Sequence, residues 1–151
     1  MSSPIPFSSR SPLIRLVNLA NRAMQADMVR QAHERGYTQV KPAHNAVFGF
    51  LGEGGARSSD MAARAGMTRQ SMGEIIRDMV GLGLLEMRTD PDDRRAKLVN
   101  YTREGLELTV GGYQYILDLE ERFIEELGVE GYEQLRAGLE RIAELVSDAD
   151  Q

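Results

Sequence analysis

The sequence predicts a mostly α-helical fold with one small β-hairpin, an α+β chain in which a helix-turn-helix is followed by a wing. Three observations carry this. Apolar residues recur at i, i+3 and i+4 over most of the 151 residues. The stretch SSDMAARAGMTRQSMGEIIRDMV, from Ser58 to Val80, reads as two short helices with Gly66 between them. The run LLEMRTDPDDRRAKLVNY, from Leu84 to Tyr101, reads as two strands around a tip of Asp, Pro and Arg.

Taken in order, residues 1–11 are rich in Ser and Pro and predict a flexible arm, and Pro12 stands where a first helical turn tolerates it. Leu13, Leu16, Val17, Ala20, Ala23, Met24, Met28 and Ala32 then define one long helix ending at Gly36. A second helix starts at Pro42, turns Val47, Phe48 and Leu51 inward, and is stopped by GEGG at Gly52 to Gly55. Ser58 caps a short helix with Met61, Ala62 and Ala65 inside. Thr68 caps the next, whose apolar stripe is Met72, Ile75, Ile76, Met79 and Val80 and whose opposite face is Arg69, Gln70, Gly73, Glu74 and Arg77. Gly83 closes that helix, and strands at 84–89 and 96–101 flank a turn from Asp90 to Arg95. From Thr102 helical spacing returns and runs to Gly128. A last helix carries Tyr132, Leu135, Leu139, Ile142, Ala143 and Val146 before SDADQ frays.

Length and composition bound the function. One domain of ordinary size is expected over residues 12–151, with 42% hydrophobic residues to build a core. The absence of cysteine excludes disulfides, thiolate metal sites and cysteine redox sensing. No secretory leader and no run of about 18 apolar residues is visible, so a cytoplasmic protein without membrane contact is expected. The net charge of −5 argues against a phosphate partner until it is mapped. Residues 1–55 carry +3, residues 56–102 carry +1 with eight basic groups against seven acidic, and residues 103–151 carry −9. The acidity belongs to the C-terminal segment and leaves the helix-turn-helix free to meet an anion.

In such a pair of helices the second enters the major groove with its first residues toward base edges. Here these are Thr68, Arg69, Gln70 and Ser71. Arg can bridge guanine O6 and N7, Gln can bridge adenine N6 and N7, and hydroxyls suit phosphates. In DPDDRRAK, Pro91 shapes the tip and brings Arg94, Arg95 and Lys97 to its end, where a narrow minor groove attracts arginine, while Asp92 or Asp93 can hold an arginine in register. The candidate DNA contacts are Ser58, Thr68, Arg69, Gln70, Ser71, Glu74, Arg77, Asp92, Arg94, Arg95 and Lys97. Plainer readings remain open: TRQS as a solvated helix start, and the hairpin as a polar edge whose charges prevent aggregation.

The run from Asp60 to Leu108, above all LGLLEMR followed by DPDDRRAKLVNYTREGLEL, resembles the MarR family of winged-helix transcriptional regulators. The resemblance implies a winged helix-turn-helix at about 42–101 and dimerisation helices at about 12–36 and 102–148. It implies a homodimer on a pseudo-palindromic double-stranded operator, most often as a repressor, with Arg94 as the wing-tip arginine in the minor groove. Independently, the first and last helices are too apolar for one small lobe to cover, which calls for a partner surface or an intramolecular helical cap. Many relatives release DNA on binding a small phenolic or anionic effector between the dimer helices and the lobe. Tyr37, His44, Phe48 and Tyr113 are the candidate lining, although aromatic residues at helical spacing more often belong to the core.

No metal or cofactor is expected, since His33 and His44 stand in no short ligand pattern. Glu120, Glu121, Glu125 and Glu126 suit a solvated face better than paired catalysts. An enzyme is disfavoured for want of a nucleophile and base, a phosphate-cradling glycine loop or a metal constellation. The rival from another class is a winged-helix module for protein interaction without specific DNA binding.

Overall fold

The computed structural model describes residues 11–147 and runs α1 (Leu13–Glu34), a 3-10 turn at Pro42–His44 leading into α2 (Asn45–Phe48), α3 (Ser58–Arg64), α4 (Arg69–Gly81), β1 (Leu85–Thr89), β2 (Lys97–Tyr101) and α5 (Arg103–Ser147). The expected arm at 1–11, apart from Ser11, and the expected fraying beyond Ser147 lie outside the described residues. The described chain forms two units, one ending at Gly112 and one beginning at Tyr113.

In the first unit α1, α3 and α4 end alike. Each cap residue is followed by a glycine with positive φ, Gly36 (98°), Gly66 (63°) and Gly83 (75°). The amide after each glycine, of Tyr37, Met67 and Leu84, returns to a carbonyl five residues back, Ala32, Ala62 and Met79. This double-bonded ending needs a left-handed residue, which glycine adopts without a Cβ clash. It also moves the start of β1: Leu84, expected to open the strand, spends its N–H on Met79 O at 3.0 Å, so pairing begins at Leu85. Ala96 likewise belongs to the turn, its N–H held by Asp93 O at 2.9 Å.

The second helix is shorter than its pattern predicts. Regular helix stops at Phe48, but the Leu51 N–H still bonds Val47 O at 2.9 Å, and this extra turn carries Leu51 into the core. Ser58 is the first residue of α3 rather than its cap. Arg57 precedes the helix in extended conformation, and no side chain caps it. Thr68 does cap α4, its hydroxyl accepting the Ser71 N–H at 3.0 Å.

The core of this unit gathers Val29 and Ala32 of α1, Val40, Val47, Leu51, Met61, Met72, Ile76, Met79, Leu84, Leu85, Val99 and Leu108. Met61, Met72 and Met79 are sealed from solvent, unbranched side chains filling irregular space between short helices. Val80, expected in the α4 stripe, is exposed. At about 100° per residue it stands roughly 80° around the helix from Met72, beyond the buried arc.

The hairpin pairs Leu85 with Tyr101, Met87 with Val99 and Thr89 with Lys97. Ala56 adds a one-residue bridge to Val99, with N–H···O distances of 3.1 and 2.8 Å, and joins the hairpin to the entry of α3.

In the second unit the helix breaks at Gly128 (φ 73°, ψ 158°), where the sequence predicts the interruption. Tyr132 is buried there with the Arg136 guanidinium 5.9 Å from its ring centre, while Leu135, Leu139, Ile142, Leu145 and Val146 stay exposed. No described helix is long and apolar enough to cross a membrane.

Candidate nucleic-acid interface

The first turn of α4 is built outward by its cap. Thr68 accepts the Ser71 N–H and donates its own hydroxyl proton to Ser71 Oγ at 2.8 Å, so these hydroxyls engage each other, with Ser71 half-buried. Arg69, Gln70, Glu74 and Arg77 are exposed, and Gln70 Nε2 donates to Glu74 Oε1 at 3.3 Å. Arg77 lies back along the helix over Gly73, its Nη1 3.3 Å from where a Cβ at that glycine would stand. Arg69, Gly73 and Arg77 occupy successive turns of one face and form a basic row with a flat middle. Ser58 is half-buried at the start of α3.

The hairpin tip is organised by Asp90, which is 5% exposed. Its Oδ1 accepts the Asp92 N–H at 2.9 Å, and its Oδ2 accepts from Arg57 Nε at 2.9 Å and Nη2 at 2.6 Å. The Asp92 amide first, and the Arg57 guanidinium next, hold this carboxyl below the usual carboxylate range. Asp93 supports the arginine at 3.7 Å and folds its own side chain onto the Arg95 N–H at 3.0 Å.

Asp93, one of the two carboxylates expected to hold an arginine in register, does so only as the weaker partner. The arginine held is Arg57, the principal carboxylate is Asp90, and the partner comes from the α3 entry because the Ala56 bridge brings it there. Arg94, Arg95 and Lys97 are exposed and make no ion pair among the described residues.

The four aromatic candidates do not share one role. His44 is fully buried, with Nδ1 accepting the Lys41 N–H at 3.1 Å and Nε2 2.8 Å from Asp78 Oδ2. The His44 ring first and Lys41 second hold the Asp78 carboxyl below its usual range. His44 is thus a packed strut with both nitrogens committed, and it offers no free ring atom to a ligand. Phe48 stacks on Tyr101 with ring centres 6.4 Å apart. Tyr37 borders a cleft of about 210 Å³ with Val40, Leu82, Leu84 and Glu104. Tyr113 is exposed in the second unit. The cleft is smaller than the few hundred cubic ångströms that enclose a drug-sized molecule.

Sequence reasoning missed Asp90, Arg57 and Asp78. Asp90 opens the DPDD run, and its conspicuous Pro91 was the only local signal. For Asp78 none existed, since its partners lie more than thirty residues earlier.

Two short helices presenting a basic row beside an arginine-bearing hairpin define a winged helix-turn-helix. Residues 38–96 match the MarR family. The S. aureus MepR–DNA complex superposes with a TM-score of 0.73 at 16% identity, covering 89% of this chain and 98% of that one. The transcriptional repressor CouR, bound to a 23-mer DNA duplex, gives 0.71 at 22% identity, covering 87% and 92%. A SlyA-like transcription regulator from Listeria monocytogenes gives 0.76 at 14% identity, covering 93% and 92%. No curated protein matches the chain. The family match thus spans the helix-turn-helix and most of the wing, the part of the chain in which the resemblance was read, and the solved structures share the fold of the chain.

Proposed function

We propose that this chain is a sequence-specific, duplex DNA-binding repressor that acts as a homodimer on a pseudo-palindromic operator and is released by a small-molecule effector. One observation carries the reading: the exposed Arg69, Gln70 and Arg77 row of α4 and the Arg94, Arg95 and Lys97 of the hairpin tip, which make no ion pair among the described residues, belong to the same lobe. The row has the donors for guanine and adenine edges, and the tip has the cations for a narrow minor groove. MepR and CouR, whose lobes this one resembles, are described in complex with DNA, and CouR as a repressor.

Dimerisation is supported by unsatisfied apolar surface. Leu13, Ile14, Leu16, Val17 and Leu19 of α1 are exposed, as are Leu135, Leu139, Ile142, Leu145 and Val146 of the second unit. Surface of this kind in a soluble regulator calls for a partner. Two-fold symmetry would set the recognition helices about 34 Å apart, one duplex turn. A phenolic or anionic effector would meet Tyr37 in an open hollow lined by Arg35 and Arg103 together with Glu104 and Glu107, Arg103 Nε lying 3.2 Å from Glu107 Oε1. Release requires the effector to favour one lobe spacing over another.

The test is a salt titration on a duplex selected from a random library. A dimer neutralising several phosphates loses affinity steeply as salt rises. A protein-interaction module shows no duplex affinity at any salt, and that result would overturn the proposal.

A further inference from the structure

Both histidines of the chain act on one peptide group. His33 Nε2, on the outer side of α1, lies 2.7 Å from the Val40 carbonyl oxygen and donates to it. The Lys41 N–H donates to His44 Nδ1 at 3.1 Å. Val40 C=O and Lys41 N–H are the two ends of a single planar amide, which cannot twist to satisfy one partner without moving the other. Since Nδ1 of His44 is an acceptor, its ring proton sits on Nε2 and is given to Asp78 Oδ2, 2.8 Å away on α4. Lys41 Nζ reaches the same oxygen at 3.0 Å.

We infer that this hydrogen-bonded chain, from α1 through the Val40–Lys41 peptide and His44 to Asp78, sets the rotation of α4 about its axis, making His33 and His44 positioning residues for the face that meets DNA. The inference rests on the reading of α4 as the helix that enters the duplex. The apolar side of α4 is seated by Met72, Ile76 and Met79, and methionine packs in many rotamers, so these contacts leave the rotation loosely specified. Directional bonds to Asp78 remove that freedom. A turn of the helix about its axis would swing Arg69 and Gln70 off their base edges, where misplacement forfeits bidentate pairing. The chain starts on α1, whose amino-terminal half carries unsatisfied apolar surface, so whatever covers that half is wired to the reading face.

A double-mutant cycle of His33→Ala and Asp78→Ala in the full chain tests this, with affinity for the selected duplex as the readout. The two side chains do not touch and both lie at the surface, so independent structural roles would give additive losses. The charge removed with Asp78 cancels in the cycle. A continuous chain predicts that the double variant binds no more weakly than the worse single one. Additive losses overturn the inference.

Two isocharged variants probe the middle of the chain. His44→Gln keeps a donor toward Asp78 but loses the acceptor for Lys41, and His44→Asn keeps that acceptor but loses the donor, so each cuts one link and each should bind about tenfold more weakly than wild type. Wild-type affinity for either would also overturn it. Wild-type protein that binds no duplex overturns the DNA reading itself. Wild-type binding with an additive cycle overturns the relay alone.

Discussion

Arg57 grips a single oxygen of Asp90 with two donors, Nε at 2.9 Å and Nη2 at 2.6 Å, and so ties the entry of α3 to the base of the wing. The tie crosses 33 residues of sequence and runs beside the Ala56–Val99 bridge, so the helix-turn-helix and the hairpin share one anchor. A wing held in this way keeps Arg94 at a defined height relative to α4, as the proposed simultaneous contact with two grooves requires.

The anchor makes stability depend on pH with a definite sign. Because the folded Asp90 carboxyl titrates below its ordinary range, its contribution is complete above that range and is lost as pH falls through the lowered folded value. The wild-type Tm should therefore drop more steeply in this acid window than the Tm of Asp90→Asn. Parallel slopes in a pH series of melts would contradict the assignment.

Gly105 is fixed by close packing. A Cβ there would stand 2.9 Å from the Leu84 carbonyl carbon and closer still to its oxygen, with backbone that cannot swing aside. Gly105→Ala should destabilise the protein by about 1–3 kcal/mol. Gly112, with nothing within 4 Å of the added carbon, should instead gain about 0.5–1 kcal/mol on the same replacement. Denaturant unfolding of the two variants gives the comparison.

The caps separate in the same measurement. Thr68→Ala removes the acceptor for the Ser71 N–H and should cost about 1 kcal/mol. Ser58→Ala, at a helix start without a side-chain cap, should stay within about 0.5 kcal/mol of wild type.

On the DNA side, Arg69→Ala or Gln70→Ala should weaken binding to the selected duplex by about 1–3 kcal/mol and relax preference at the contacted base. Arg94→Ala should matter most on sites whose flanking minor groove is narrow. Unchanged affinity of Arg94→Ala across flanks of different width would remove the wing from the interface.

Leu139 and Ile142 lie one turn apart in the exposed apolar row of the second unit. Replacing both by Glu places charge where the proposed dimer would bury hydrocarbon, and light scattering should then report a monomer. A dimer that persists would locate the interface elsewhere.

Sequence alone determined what is settled within a turn or two of chain: the glycine endings of three helices, the Thr68 cap, the buried methionine face of α4, the hairpin around Pro91 and the break at Gly128. Each depends on neighbours whose distance the helix or strand period already sets. Tertiary structure decided the rest. It chose Arg57 for Asp90 rather than a wing arginine, turned His44 from a ligand candidate into a strut for Asp78, and left Val80 at the edge of its stripe. It also showed that Gly111 makes room for the Arg35 guanidinium, which caps the Glu107 and Leu108 carbonyls at 3.2 and 3.4 Å, whereas Gly112 faces open space. These partners come together only when separate elements dock, and a charged group's choice among distant counterparts is governed by burial and direction, which no local spacing encodes.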